Sequence, residues 1–266
     1  NVWAASADTW QVSLAAALDV WSTSDLASHD MWLAWDGNSF FPLEKDCRPL
    51  TAVELVVHRV AVREAQLKEL RSWCKNEVSK PQRRDQFQAE TKLNILPARW
   101  VIEFKRKEGA LVIKARFVIK GFAERSQDTL QTAAPTASRQ AHKLVAQLAA
   151  SRKWQLISLD VTAAFLQGFT FSEVSSEGDF ARQPCAFSPP DEHFFSLLAE
   201  IDSSWQEASL NWKQYCCRLQ KGVYGLKDAP LLWYLRIHRF LTQTMKLRAL
   251  KHDECTYIFV EHGAVV

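Results

Sequence analysis

The sequence predicts an α+β fold, because stretches with helical spacing and stretches with strand alternation follow each other along most of the chain. Residues 51–73 and 138–151 place apolar side chains at helical spacing, whereas residues 99–120 alternate apolar and charged side chains as a β-hairpin does. The length of 266 residues suits one large domain or two small ones. No apolar run approaches the ~18 residues that a membrane span needs.

The first 50 residues differ in composition from the rest. Residues 1–46 hold seven acids, one base and five of the eleven tryptophans, which leaves 32 bases and 23 acids after them. We therefore predict a Trp-rich acidic segment of unassigned role over residues 1–50 and a basic body over residues 51–266. A basic body favours a polyanionic partner. The six cysteines lack metal-ligand spacing and predict reduced, mostly buried thiols.

Two helices are predicted in the first half of the basic body. Residues 51–73 form the first, the polar run 76–86 predicts a loop after it, and Ser138 is expected to cap the second helix through Ser151. The side chains predicted to face inward are Val60, Leu67, Leu70 and Trp73 in the first helix and Ala141, Leu144, Val145 and Leu148 in the second.

The second half of the body predicts shorter elements. Residues 154–160 have the pattern of a short buried strand that turns directly into a helix, and residues 170–210 predict a long surface loop with three prolines. The remaining predicted elements are strands at 215–220 and 255–260, separated by a helix that Asp228 caps, that has Pro230 in its first turn and that runs to about Leu247.

One face of the predicted hairpin is strongly basic. Residues 99–120 contain seven bases and two acids. The basic side chains of this face are Lys105, Lys107, Lys114, Arg116 and Lys120. A solvated charged strand accounts for this pattern, and so does a surface that holds phosphate groups, because a guanidinium grips phosphate oxygens in bidentate fashion.

Three separated segments resemble the reverse transcriptase of copia-type LTR retrotransposons, in the same order along the chain. They are VIKARFVIKG at 112–121, LDVTAAFLQG at 159–168 and VYGLKDAPLLWY at 223–234. The resemblance implies a right-hand polymerase fold with a fingers hairpin and a partial palm, an antiparallel sheet with helices on one face. It also implies template-directed transfer of deoxynucleotides to a primer 3′-hydroxyl, and cytoplasmic virus-like particles of a parent element as the location.

The resemblance assigns partners and residue roles. The partners are an RNA or DNA template-primer, deoxynucleoside triphosphates and Mg²⁺. Asp160 would ligate both metal ions, and the backbone carbonyl of Val161 would ligate one of them. Phe165 would be the steric gate that excludes a 2′-hydroxyl. The alternative for Phe165 is that it is an ordinary aromatic residue of the core. The resemblance also implies that Arg116 binds the nucleotide, assisted by Lys105, Lys114 and Lys120. It implies the same role for Lys227 and for Gly225, whose missing side chain permits close backbone approach.

The sequence also departs from the family pattern. Thr162-Ala163 stands where relatives commonly carry Lys-Thr, Asp228 replaces a usual Gln, and no aromatic-Val-Asp-Asp motif is present. We expect that motif, which brings the remaining catalytic carboxylates, within a few residues after Val266. The printed chain is therefore expected not to catalyse, and the alternatives are a non-catalytic nucleic-acid-binding remnant or a relic without a function.

Overall fold

The structure is a computed structural model that describes residues 32–35, 40–43, 47–91, 93–107, 110–125, 130–176, 182–259 and 264–265. The chain divides into two compact units. One holds residues 1–51 and 103–113, and the other holds residues 52–102 and 114–266. The outer half of the predicted hairpin thus groups with the N-terminal residues, while the domain boundary near residue 50 stays a prediction.

The smaller unit is built from short antiparallel pairs. Strands β1 (Trp32–Trp35) and β2 (Phe40–Leu43) pair with each other. Strand β3 (Cys47–Pro49) pairs with the outer part of the long strand β5 (Leu96–Lys107). The Arg48 guanidinium lies 4.8 Å from the centre of the Phe104 ring, so a cation–π contact joins these two strands.

The single helix predicted over residues 51–73 is helical in the structure but is divided at His58 into two consecutive helices, which open the larger unit. They are α1 (Ala52–Val57) and α2 (Arg59–Lys75). Leu67, Leu70 and Trp73 are buried as predicted, but Val60 is 66% exposed, and its inward placement is wrong. The buried face of α2 starts at Val62, and two residues rotate a helix by about 200°, which puts Val60 on the opposite side.

The hairpin forms as predicted, from β5 and β6 (Ala110–Ile119), and its turn at residues 108–109 lies outside the described residues. The sheet continues from β5 through β7 (Ala186–Ser188) and β8 (Tyr215–Leu219) to β4 (Ser79–Arg83). The pairing of β5 with β7 is parallel, with Leu96 opposite Phe187. The antiparallel sheet of the sequence prediction is therefore wrong at this pair, and the sheet is mixed.

The predicted loop at 76–86 is wrong. Its residues form β4 and the start of helix α3 (Arg84–Thr91), which buries Phe87 completely. Strand β4 pairs with β8 residue by residue, from Ser79 opposite Leu219 to Arg83 opposite Tyr215. A polar segment becomes a strand here because a distant strand supplies its hydrogen bonds, which local composition does not reveal.

The predicted surface loop at 170–210 is also wrong, because it contributes much of the core. Its elements are α5 (Phe171–Ser176), β7, α6 (Glu192–Ile201), a 3₁₀ turn at Ser203–Trp205 and α7 (Gln206–Leu210). Asp191 caps α6 by accepting a hydrogen bond of 3.1 Å from the backbone N–H of Phe194. Phe194, Phe195, Leu197 and Leu198 of this helix are all at most 2% exposed.

Helix α4 (Arg139–Arg152) begins as predicted. The Ser138 side chain caps it by accepting a hydrogen bond of 3.1 Å from the backbone N–H of Ala141. Leu144, however, is 50% exposed, because the buried face of α4 centres on Ala141 and Ala149 and leaves Leu144 at its edge.

The last helix carries Pro230 in its first turn, as predicted. This helix, α8 (Ala229–Arg239), continues as a π-helical turn over Phe240–Thr244. Three antiparallel strands follow, and they form a sheet of their own. They are β9 (Arg248–Leu250), β10 (Asp253–Phe259) and β11 (Ala264–Val265), so the strand predicted at 255–260 is confirmed except for Val260, which lies outside the described residues.

The core of the larger unit is aromatic. Trp73, Phe117, Phe187 and Phe194 contact one another with ring centres 4.4–5.9 Å apart. All six cysteines are free, and Cys185, Cys216 and Cys217 are buried. Among the helices of the described ranges, none is long and apolar enough to cross a membrane.

Candidate active site

Strand β6 presents two of the predicted basic side chains, Lys114 and Arg116. Its alternation buries Ala115, Phe117 and Ile119, at 4%, 0% and 1% exposure, and turns Lys114 and Arg116 the other way. Lys114 is exposed, while Arg116 is partly buried. Lys105 belongs to the smaller unit, whereas the other candidate residues belong to the larger one.

A carboxylate of α2 that the sequence analysis did not single out lies beside these bases. Glu69 accepts hydrogen bonds from the indole N–H of Trp73 at 3.2 Å and from the backbone N–H of Phe117 at 3.4 Å. Burial raises the pKa of Glu69, and the two hydrogen bonds and the charges of Lys114 and Arg116 oppose that rise. Helical periodicity alone gave no signal for Glu69, because its partners come from β6.

The YGLK loop packs directly against the end of β6. The backbone N–H of Ile119 donates a 2.9 Å hydrogen bond to the carbonyl of Tyr224. Gly225 has φ = +96°, and a Cβ placed on it would lie 1.9 Å from the carbonyl oxygen of Ile119. Glycine is therefore required both by backbone conformation and by close approach, as the sequence predicted for Gly225.

Tyr224 connects the loop to the segment that follows Asp160. The rings of Phe165 and Tyr224 meet edge to face, with centres 5.6 Å apart. Phe165 is partly buried in a 3₁₀ helix over Ala164–Gln167, where a regular helix was predicted. Burial raises the pKa of Tyr224, the charges of Glu69 and Asp160 raise it further, and Arg116 lowers it. All three resemblance segments thus meet around this tyrosine.

The predicted buried strand at 154–160 is wrong. The segment is irregular and exposed, with Leu156 at 64%, Ile157 at 76% and Leu159 at 88% exposure. No strand of the described ranges pairs with it, so its backbone has no ladder to join. Asp160 therefore lies exposed on an irregular segment, not at the end of a buried strand.

The described residues do not complete a Mg²⁺ site. No group of three or more His, Cys, Asp and Glu side chains in the described ranges is arranged to hold a metal ion. Asp160 and the carbonyl of Val161 are too few donors for an ion that prefers six oxygen ligands. The structure therefore supports no reaction step through a metal ion held by these residues.

The start of α8 differs from the prediction. Asp228 occupies the cap position, but its side chain makes no capping hydrogen bond. Its carboxylate instead forms an ion pair with Arg182, with 2.7 Å between Nε and Oδ2, and both side chains are fully buried. Sequence analysis missed Arg182 because it lies in the region assigned to a loop. Lys227, next to this pair, is exposed.

Comparison with known proteins finds a family match for part of this region. Residues 88–196, which include β6, Asp160 and Phe165, match the family described as reverse transcriptase (RNA-dependent DNA polymerase). The chain is 32% identical over 152 residues to the retrovirus-related Pol polyprotein from transposon RE2 of Arabidopsis thaliana. That match covers 56% of this chain and 9% of the relative.

Two further relatives have the same description. The Pol polyprotein from transposon RE1 of Arabidopsis thaliana is 30% identical over 152 residues, or 56% of this chain and 9% of the relative. The Pol polyprotein from transposon TNT 1-94 of Nicotiana tabacum is 27% identical over 176 residues, which cover 64% of this chain and 11% of the relative. The chain thus spans about a tenth of the length of these curated relatives. No solved structure matches it.

Residues 88–196 are thus similar to the reverse transcriptase (RNA-dependent DNA polymerase) family, and the chain is similar to a part of retrovirus-related Pol polyproteins from plant transposons.

Proposed function

We propose that this chain binds an RNA or DNA template-primer together with a deoxynucleoside triphosphate, as part of RNA-directed DNA synthesis. In this proposal the β5–β6 hairpin is the fingers hairpin of a right-hand polymerase, and residues 154–168 and 215–258 belong to its palm. Arg116 grips the triphosphate, Phe165 is the steric gate, and Gly225 and Lys227 contact the nascent base pair.

One observation carries the proposal. The end of β6, the YGLK loop and the segment after Asp160 come from three distant parts of the chain, yet they meet around Tyr224. The contacts are the hydrogen bond from Ile119 to Tyr224 and the edge-to-face contact of Phe165 with Tyr224. A polymerase needs cations for the triphosphate and a surface for the base and sugar in one place, and this convergence brings those residue types together.

The site is expected to bind nucleic acid with strong dependence on salt. Each phosphate that a Lys or Arg neutralises releases counterions, so affinity falls as salt rises. Fluorescence anisotropy with a labelled RNA–DNA primer-template, titrated at several salt concentrations, measures this slope.

A pair of variants tests the role of Arg116. We expect Arg116→Met to weaken binding and to reduce the salt slope by about one. Lys80→Met is the matched control, because Lys80 is an exposed base on β4 and belongs to none of the three converging segments. Equal effects of the two substitutions, or binding that does not respond to salt, would contradict the proposal.

A second candidate is nucleic-acid binding without chemistry. It is favoured by the donor set, since the two-metal mechanism needs more carboxylates than the described residues gather around Asp160. A primer-extension assay with Mg²⁺ distinguishes the two candidates. Incorporation that Asp160→Asn abolishes supports catalysis that requires the Asp160 carboxylate, whereas tight binding without incorporation supports binding alone.

A further inference from the structure

A cluster of three charged side chains is buried in the larger unit. The Arg182 guanidinium donates to both carboxylate oxygens of Glu124, at 2.6 and 3.2 Å, and its Nε lies 2.7 Å from Oδ2 of Asp228. The side chains of Arg182 and Asp228 are fully buried, and that of Glu124 is 7% exposed. The guanidinium also lies 5.0 Å from the centre of the Phe171 ring.

Such a cluster is a poor source of stability. Removing a charge from water costs several kcal/mol, and a buried ion pair recovers this only with very good geometry. Burial raises the pKa of Asp228, while Arg182 opposes the rise. Two carboxylates also share one guanidinium, so the cluster carries a net negative charge when all three groups are ionised. The segments that the cluster joins therefore explain its presence better than its contribution to folding stability does.

The cluster joins the two segments that flank the proposed nucleotide site. Glu124 follows the 3₁₀ turn Gly121–Ala123 at the end of β6, and Asp228 follows Lys227 of the YGLK loop. The two segments already touch, because a Cβ on Gly121 would lie 2.3 Å from the carbonyl oxygen of Gly225. Arg182 adds a second, side-chain link between them from a third part of the chain.

We propose that Arg182 is a positioning residue, which fixes the YGLK loop against the end of β6 and so sets Lys227 relative to Arg116. The consequence for nucleotide binding rests on the proposed function. Asp228 supports the assignment, since its carboxylate forms an ion pair with Arg182 and makes no capping hydrogen bond to α8. The unusual Asp at this position is thereby explained as the partner of a buried arginine.

Hydrogen exchange followed by mass spectrometry tests the link in the chain without ligand. We expect Arg182→Met to speed exchange roughly tenfold in peptides covering 117–125 and 222–230, with little change in α2 and α6, because the local opening equilibrium shifts. Arg218→Met is the matched control, since it also removes an arginine–glutamate pair, the exposed pair of Arg218 with Glu90 at 3.0 Å.

Two further variants separate positioning from stability. Arg182→Met removes the ion pair of the buried Asp228 carboxylate, so the double variant Arg182→Met with Asp228→Asn, which makes that side chain neutral, is expected to recover thermal stability but not the protection of the two peptides. Arg182→Lys keeps the charge without the fork that reaches both carboxylates, and is expected to restore protection only in part. Exchange that rises equally throughout the chain, or protection that returns fully with stability in the double variant, would overturn the proposal.

Triphosphate binding in the presence of primer-template is the second readout. We expect a roughly tenfold weaker apparent affinity for the triphosphate in the double variant, at unchanged thermal stability, because binding must then order the loop. Failure of the parent chain to bind triphosphate would refute the proposed function, and the exchange experiment would still decide whether Arg182 holds the loop. Unchanged affinity alongside faster exchange would overturn the positioning role in nucleotide binding.

Discussion

Replacing Gly225 by alanine tests the contact between the YGLK loop and β6. The new Cβ would lie 1.9 Å from the Ile119 carbonyl oxygen and 2.9 Å from a methyl carbon of Val118, while real Cβ contacts stay beyond 3.0 Å. The backbones must therefore separate by about 1 Å, which breaks the hydrogen bond from Ile119 to Tyr224.

The expected cost follows from two terms. A left-handed conformation costs a non-glycine residue about 1–2 kcal/mol, and forcing atoms into a packed contact costs about 1–3 kcal/mol more. A loss of about 2–5 kcal/mol should lower the melting temperature by roughly 10 °C in a domain of this size.

Thermal unfolding followed by circular dichroism measures this shift, with Gly168→Ala as the control. Gly168 has φ = −58°, and its nearest Cβ contact would be 3.2 Å, so alanine fits there with small adjustments. A melting temperature of Gly225→Ala within about 2 °C of the control would refute the reasoning, because strain and close contact would then carry no measurable cost.

Three further outcomes are expected. Leu159→Ser should change the free energy of unfolding by less than about 0.5 kcal/mol, since Leu159 is 88% exposed, whereas fully buried Leu232→Ala should cost about 2–5 kcal/mol in the same urea titration. Asp253→Ala should destabilise at neutral pH but match the parent in acid. The reason is that a hydrogen bond from the Ser138 backbone lowers the pKa of Asp253 to about 2. The stabilisation by the Asp253 carboxylate is therefore present above the unfolded pKa of ~3.9 and is lost as pH falls through about 2. Melting curves between pH 2 and 6 check this. Exposed Cys47 should react with iodoacetamide at pH 8 before Cys185, because burial raises the pKa of Cys185 to about 12, and mass spectrometry of the labelled peptides gives the order.

Elements with a local signal were predictable from sequence. The hairpin, α2, the Ser138 cap and the first turn of α8 with Pro230 depend on alternation, periodicity and capping within a few residues. The role of Gly225 was predictable because glycine permits close backbone approach and unusual φ angles.

Elements whose partners are distant were not predictable. Strand β4 is polar, and it forms because it pairs with β8. Residues 154–160 have the sequence pattern of a buried strand, but no strand of the described ranges pairs with them. The site shows the same division. The bases of β6 follow from their pattern, whereas Glu69 and Arg182 gain their places from residues far away in sequence.

The order of strands in the larger unit has a consequence for synthesis on the ribosome. The central strand β8, at Tyr215–Leu219, pairs on one side with β7 and on the other with β4, which is made more than a hundred residues earlier. The β5–β6 hairpin can close as soon as it emerges, since its contacts are local. Strand β4, in contrast, stays without its partner strand while more than a hundred further residues are made, and an open strand edge can pair wrongly with neighbouring chains during that time.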